Sequence, residues 1–209
     1  MALFIAGAGG FGRETLDAVM AAGETVVAFL DDQLAGRDCR GLPVVAPEDA
    51  PEGARFVVGI GDPRLRRELA LRLAALGLVP ATVVHPRAVI APETSVASGC
   101  VILANAHVSS SVRLGAHVHV NYNATVGHDA VLEAYVTILP GANVAGAVHL
   151  AEGVTVGSNA CVLPRRRVGA FTTVGAGAVV TRDLGTGQVA VGVPARPRDG
   201  SAHPVPTDR

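Results

Sequence analysis

The chain has 209 residues, 17 basic and 18 acidic side chains, and a formal net charge of −1. That balance, with no long basic run, lacks the electrostatic footprint of nucleic-acid binding, and no apolar run reaches the roughly 18 residues of a membrane span. Cys39, Cys100 and Cys161 are odd in number and form no C-x-x-C, and the start lacks a basic leader, so the expected setting is a reduced cytoplasm without disulfides or structural zinc.

Residues 3–6 read as a buried strand running into Gly7-Ala8-Gly9-Gly10-Phe11-Gly12, a G-x-G-x-x-G that opens a helix over residues 12–22 ending at Gly23. A second strand over 25–30 leads to Asp31-Asp32, close to the spacing at which an acid meets a ribose. A third over 56–60 ends in Gly61-Asp62-Pro63, a helix follows over 64–76, and residues 78–83 lead out of this first domain, residues 1–80. A complete dinucleotide fold uses two mononucleotide halves, and only one fits here. One half still suits a nucleotide-linked ligand: glycine amides at a helix N-terminus for phosphate, and Asp31 and Asp32 for hydroxyls or an amine. The plainer alternative is that the glycines serve only close strand–helix packing.

From Val84 to Val180 an aliphatic residue stands at every sixth position. A period of six marks a β-helix of hexapeptides, and residues 81–198 form this second domain. The residue two before each aliphatic is usually small or β-branched (Ala106, Ala124, Ala142), and alternate residues of an extended segment face the same side, so both sets point inward. Three short sides close a coil of about 18 residues, and coils stack about 4.8 Å apart. The glycine that often follows the aliphatic (Gly115, Gly127, Gly157, Gly169, Gly175) suits a corner with positive φ. An all-β sandwich would interrupt the register with irregular loops; this one has none. The polar, proline-bearing tail from Asp199 to Arg209 reads as disordered.

Seven histidines fall on this frame. His107, His119 and His149 share one phase of the hexad and are expected on outer surfaces, at heights too different to share a metal ion. His85 and His117 read as turn and corner residues, and His203 lies in the tail. His128 has different company, with Asn121 and Gly127 before it and Asp129 after it. Asp129 can orient the imidazole, and the residue one coil on is Gly146, a bare amide with room beside the ring. A base next to an unobstructed N–H donor is what acyl transfer requires. A surface histidine that happens to neighbour an aspartate is the bland alternative.

Gly7–Gly12 with Asp31-Asp32, the hexads, Asn121, His128-Asp129, Ala145-Gly146, Val162-Leu163-Pro164, Gly175-Ala176-Gly177 and the closing Val191-Gly192-Val193-Pro194-Ala195 together resemble the bacterial hexapeptide-repeat sugar acetyltransferases. That family includes nucleotide-amino-sugar N-acetyltransferases and sialic-acid O-acetyltransferases. The resemblance implies a Rossmann-like α/β half domain followed by a left-handed parallel β-helix. It also implies a homotrimer with active sites between subunits, and acetyl-CoA as co-substrate with no metal. His128 would be the general base, Asp129 would raise its basicity, and the Gly146 amide would meet the thioester oxygen. Gly175 and Gly177 would lie along the pantetheine arm. Gly9, Gly10, Phe11, Asp31, Asp32, Gly61 and Asn121 would hold the nucleotide sugar. Two positions depart from the pattern: Phe11 stands where family members with known amino-sugar substrates often have histidine, and Thr137 where some have a histidine near the cofactor. N-acetylation of an amino sugar is the expected reaction. O-acetylation of a sugar hydroxyl is its enzymatic rival, and a non-catalytic nucleotide-binding trimeric scaffold its rival from another class.

Overall fold

The computed structural model describes residues 2–198, so the tail from Asp199 onward lies outside the described residues. The first domain is an α/β unit with elements β1 (Leu3–Ala6), α1 (Gly10–Ala21), β2 (Val26–Leu30), β3 (Asp38–Cys39), β4 (Leu42–Val45), β5 (Arg55–Val58), α2 (Pro63–Ala75) and β6 (Val79–Pro80). Its sheet runs β3-β4-β2-β1-β5-β6, parallel except for the β3–β4 hairpin. The chain passes from β1 to β2 on one side and later returns to β5 on the other. The crevice above the carboxyl ends of β1 and β5 is therefore a topological switch point, where open α/β sheets bind ligands.

Three details differ from the sequence reading. Helix α1 begins at Gly10, two residues early, because Gly9 already serves as its N-cap. The hairpin β3–β4 was not anticipated; its strands are too short to show alternation. Residues 78–83 contain a strand of their own, β6, paired with β5.

The second domain is a three-sided prism. Strands pair in parallel with the strand one coil on, as in Val101↔His119, Thr125↔Asn143 and Arg113↔Val131. The first face carries Val83–Val84 through Thr173–Val174 and is closed by Val189–Val191 and Arg196–Pro197. The second face carries Val89–Ile90 through Val179–Val180. The third carries Ser95–Val96 through Arg167–Val168. Both aliphatic sets point inward, as the period requires: Val108, Val126, Val144 and Val162 pack with Ala106, Ala124, Ala142 and Ala160 in one buried column.

The edges are built differently from the expectation. Positive φ falls on the third residue after most inner aliphatics, at Asn105, Ser111, His117, Asn123, Asp129 and Tyr135 among others, and not on the glycine immediately after them. Those glycines answer a different constraint. A Cβ at Gly115 would lie 2.6 Å from the Ala134 nitrogen of the next coil, and one at Gly127 2.6 Å from the Gly146 nitrogen. Backbone approaching backbone across the coil spacing leaves no room for a side chain.

The α/β domain sits on the first face and on the edge joining the third face to the first. Leu3, Ile5, Ala8 and Phe29 share one core with Val83, Val101 and Leu103 of the prism. This roof overturns the expectation for His119, which is wholly buried rather than on an outer surface. His107 is exposed and His149 partly so.

Candidate active site

On the edge between the second and third faces, inner Val126 is followed by Gly127, His128 and Asp129. Asp129 takes the left-handed edge conformation at φ 60°, which turns its carboxylate back on its neighbour, and Oδ2 lies 2.7 Å from His128 Nδ1. With the carboxylate accepting from Nδ1–H, the free lone pair of the imidazole is on Nε2. The backbone at His128 is held from the next coil by Ala147, whose N–H donates to the His128 carbonyl at 2.8 Å. A Cβ placed on Gly146 would fall 2.5 Å from Nε2, so the free nitrogen faces a position of that coil with no side chain to obstruct it. Among the described residues, the Gly146 N–H meets no acceptor. The absence of a side chain on Gly127 keeps that amide uncovered.

His128, Asp129, Gly146, Ala147, Pro164 and Arg165 line a cleft of about 380 Å³ along this edge. A second groove of about 370 Å³, lined by His107, Ser109, Thr125, Gly127, Asn143 and Ala145, adjoins it on the second face. In this chain 69% of the His128 side chain is open to solvent. Among the described residues no group of three or more His, Cys, Asp or Glu side chains could hold a metal ion, and no helix is long and apolar enough to cross a membrane.

The second set of sequence candidates gathers at the switch point of the α/β domain. Gly9 and Gly10 open α1 with no side-chain cap, and Gly9 has open space around it. Gly7 and Gly59 let the chain ends of β1 and β5 and the start of α1 come together: a Cβ on Gly7 would lie 3.2 Å from the Gly59 carbonyl oxygen, and one on Gly59 2.6 Å from Gly12 Cα in α1. Asp31 is the brace of the glycine loop, accepting from Ala8 N at 3.1 Å, Gln33 N at 3.0 Å and Leu34 N at 3.2 Å. Asp32 is exposed and held by Arg72 in a two-pronged ion pair that Glu48 shares; hydrogen bonding from Arg72 keeps its carboxyl below the usual carboxylate range. Gly61 is exposed at the end of β5. Phe11 stacks on His119 with ring centroids 4.8 Å apart.

Asn121 does not line the His128 cleft; its side chain is buried, and its amide donates to the Ile138 carbonyl at 3.0 Å. Gly177 stands exposed on the edge between the first and second faces at φ 67°, while a Cβ on Gly175 would touch Val191 Cγ1 at 2.7 Å. Thr137 is buried under the α/β domain, where its hydroxyl accepts from Arg66 at 2.9 Å. Arg66 is the residue the sequence reading missed. It falls on the inward stripe of α2 with Pro63, Ala70 and Leu73, and a basic residue on that apolar phase is the signal that could have found it.

Residues 2–73 match the PglD N-terminal domain family. The fold is that of a crystallised histidine-to-asparagine mutant of perosamine N-acetyltransferase from Caulobacter crescentus, in complex with CoA and GDP-perosamine. The two share 33% identity at a TM-score of 0.91, over 96% of this chain and 98% of that one. The acetyltransferase domain of PglB from Neisseria gonorrhoeae, in complex with acetyl coenzyme A, shares 35% identity at a TM-score of 0.89, over 94% and 98% of the two chains. A GDP-perosamine N-acetyltransferase of Escherichia coli O157:H7 is 31% identical over 147 residues, an alignment spanning 66% of this chain and 66% of that relative, just under two thirds. The chain belongs to the left-handed β-helix sugar N-acetyltransferases. As an acetyltransferase of this family it carries both expected parts, an α/β half domain and a left-handed parallel β-helix. Both departures from the family pattern, Phe11 and Thr137, lie where the two parts of the acetyltransferase meet.

Proposed function

We propose that this acetyltransferase moves the acetyl group of acetyl-CoA directly onto the amino group of a nucleotide-linked amino sugar, with His128 as general base. The observation that carries the reading is the pairing of a free Nε2, oriented through Nδ1 by Asp129, with the uncovered amide of Gly146. The sugar amine attacks the thioester carbonyl while its proton passes to Nε2. The carbonyl oxygen, now carrying negative charge, meets the Gly146 N–H. Collapse of that adduct breaks the C–S bond, and the departing sulfur takes the proton back from the imidazolium to leave as the CoA thiol. No acyl-enzyme is needed, since the amine is itself the nucleophile.

Relatives support the substrate class: the Caulobacter enzyme is in complex with CoA and GDP-perosamine, and the Neisseria domain with acetyl coenzyme A. In this chain the nucleotide sugar lies at the switch-point crevice against Gly9, Gly10, Phe11 and Gly61, with Asp31 bracing the loop. Acetyl-CoA runs along the coils past Gly175 and Gly177. The crevice belongs to a domain seated on the first face, whereas His128 stands on the edge opposite that face. A sugar held by one chain therefore meets the histidine of another, in a homotrimer whose active sites lie between subunits. The cytoplasm, where acetyl-CoA and nucleotide sugars are both made, is the matching compartment.

The test is acetyl transfer from acetyl-CoA to a panel of nucleotide amino sugars, read by product mass, with His128→Ala beside the wild type. A loss of roughly 10²–10⁴ in rate with an intact oligomer is expected. Near-normal turnover by the variant overturns the role of the histidine, and acetylation of a sugar hydroxyl instead of an amine overturns the substrate class.

A further inference from the structure

Arg66 is wholly buried, and its guanidinium is held almost entirely by backbone oxygens. Nη1 donates to the carbonyls of Ile60 and Gly61, each at 3.0 Å. Nε donates to the His117 carbonyl at 3.0 Å, and Nη2 to the Tyr135 carbonyl and to Thr137 Oγ1. Among the described residues it forms no ion pair; Asp62, the acid just before α2, spends its carboxylate capping the helix through Arg64 N and Leu65 N. Burial lowers the guanidinium to about 9, which leaves it protonated at neutral pH. A buried cation without a carboxylate is costly, and replacing such a group by an apolar one is often the more stable choice. What the cation does here is connect three separate segments. One is the Ile60–Gly61 wall of the switch-point crevice; the others are two successive coils at His117 and at Tyr135–Thr137.

Its neighbours on α2 only dock the helix. Arg64 lies over the Phe171 ring at 4.2 Å, and Arg67 pairs with Glu152 at 3.0 Å, both at the exposed rim. Arg66 alone reaches past the helix to the loop beyond the end of β5. Thr137 strengthens the same link, its hydroxyl also lying 3.4 Å from the Gly61 carbonyl.

We infer that Arg66 is a positioning residue for the nucleotide sugar: it fixes the Ile60–Gly61 wall of the crevice to the prism, so that the sugar is presented at a set height against the coils. This rests on the function proposed above. It separates Arg66 from acetyl-CoA, whose contacts lie on other edges.

The experiment uses the full-length oligomer with Arg66→Lys, Arg66→Met and Thr137→Val. Two measurements are made: steady-state KM for each substrate, and hydrogen exchange of the amides of residues 59–62. With Arg66→Lys, which keeps the charge but loses the multidentate fork, KM for the nucleotide sugar is expected to rise roughly tenfold while KM for acetyl-CoA stays within about twofold. Thr137→Val, which keeps the shape, should move in the same direction by a smaller factor, and residues 59–62 should exchange faster in all three variants. Equal rises in both KM values, or a lowered melting temperature with neither KM changed, would reduce Arg66 to a structural clamp and overturn the proposal. If Arg66→Met fails to fold, the lysine and valine variants still decide. If the wild type acetylates no nucleotide amino sugar, the function reading fails by itself. Exchange then judges the wall, and unchanged protection at 59–62 overturns its tethering.

Discussion

His128 and Gly146 stand one coil apart with nothing between them, so that a methyl group on residue 146 would lie 2.5 Å from Nε2 and 2.7 Å from Cε1 of the ring. Real side-chain carbons do not approach so closely, and the exposed imidazole would have to swing away. Gly146 is not in the positive-φ region, so alanine is conformationally acceptable there. Gly146→Ala is therefore expected to leave the melting temperature within a few degrees while lowering kcat by roughly 10²–10³, the scale of a displaced general base. Acetyl-transfer kinetics beside a thermal melt check this. A variant with wild-type kcat would show that the ring and the amide do not act together.

The two kinds of glycine in the coils predict two kinds of damage. An alanine at 115 would press its Cβ to 2.6 Å from Ala134 N and 2.7 Å from Glu133 C, both rigid backbone atoms of the next coil. Coil spacing would have to open, at a cost of about 1–3 kcal/mol or more for overpacking. Gly187 has φ 68° and nothing within 4 Å of its missing Cβ, so alanine there meets only the left-handed penalty of about 1 kcal/mol. Denaturant unfolding should rank Gly115→Ala well below Gly187→Ala. The reverse order would mean that the coil-stacking account of these glycines is wrong.

This distinction marks where sequence reading succeeds and fails. The prism was legible because each coil carries its own inner aliphatic and its own small partner, so the signal repeats locally. His128 and Gly146 were legible for the same reason: a fixed coil length converts sequence separation into adjacency. The role of the glycines was not, since contact between backbones leaves no trace in side-chain identity. His119 was misplaced because the hexad assigns it an outward phase without revealing that another domain covers that phase. Arg66 escaped because its partners are mostly backbone carbonyls, some only 5 or 6 residues away and others 51 to 70, and every residue has a carbonyl. Asp31 and Asp32 were visible as acids beyond β2, but not their commitments to the glycine loop and to Arg72.

The buried histidines under the α/β domain give the protein an acid-sensitive seam. Desolvation, then the nearby Arg66 charge, lowers His117 to about 4, and His119 is driven well below its usual value by the same causes with His117 added. Both are bases with folded values below the unfolded value near 6.5, so their contribution is fully present above pH 6.5. As pH falls from there toward 4, the unfolded chain binds protons that the folded chain refuses, and stability is lost at up to about 1.4 kcal/mol per pH unit per site. Melting temperature should therefore decline from pH 7 to pH 5. His117→Phe should flatten part of that decline; its ring faces Tyr135 at 5.3 Å, and Phe171 already occupies the equivalent left-handed edge position two coils beyond Tyr135. Parallel melting curves for variant and wild type across this range would rule out His117 as a contributor.

Placement of the two half-sites predicts complementation between inactive chains. One chain carries His128→Ala and an intact crevice. The other keeps His128 but has its crevice wall disrupted by Gly9→Trp, at a position with open space around the missing Cβ, so that the bulk enters the ligand space rather than the core. Each homo-oligomer alone should be inactive. If the two are unfolded together and refolded as mixed oligomers of the proposed trimer, some interfaces join the good histidine of one chain to the good crevice of the other. For random mixing at equal amounts, about a quarter of the sites combine both intact halves. Recovery toward a quarter of wild-type activity, absent when the two proteins are mixed without exchanging subunits, is the expected outcome. If both halves of a site came from the same chain, mixing would restore nothing. A null result with mixed trimers verified by mass would therefore place the sugar and the histidine within one protomer and refute the opposite-edge argument.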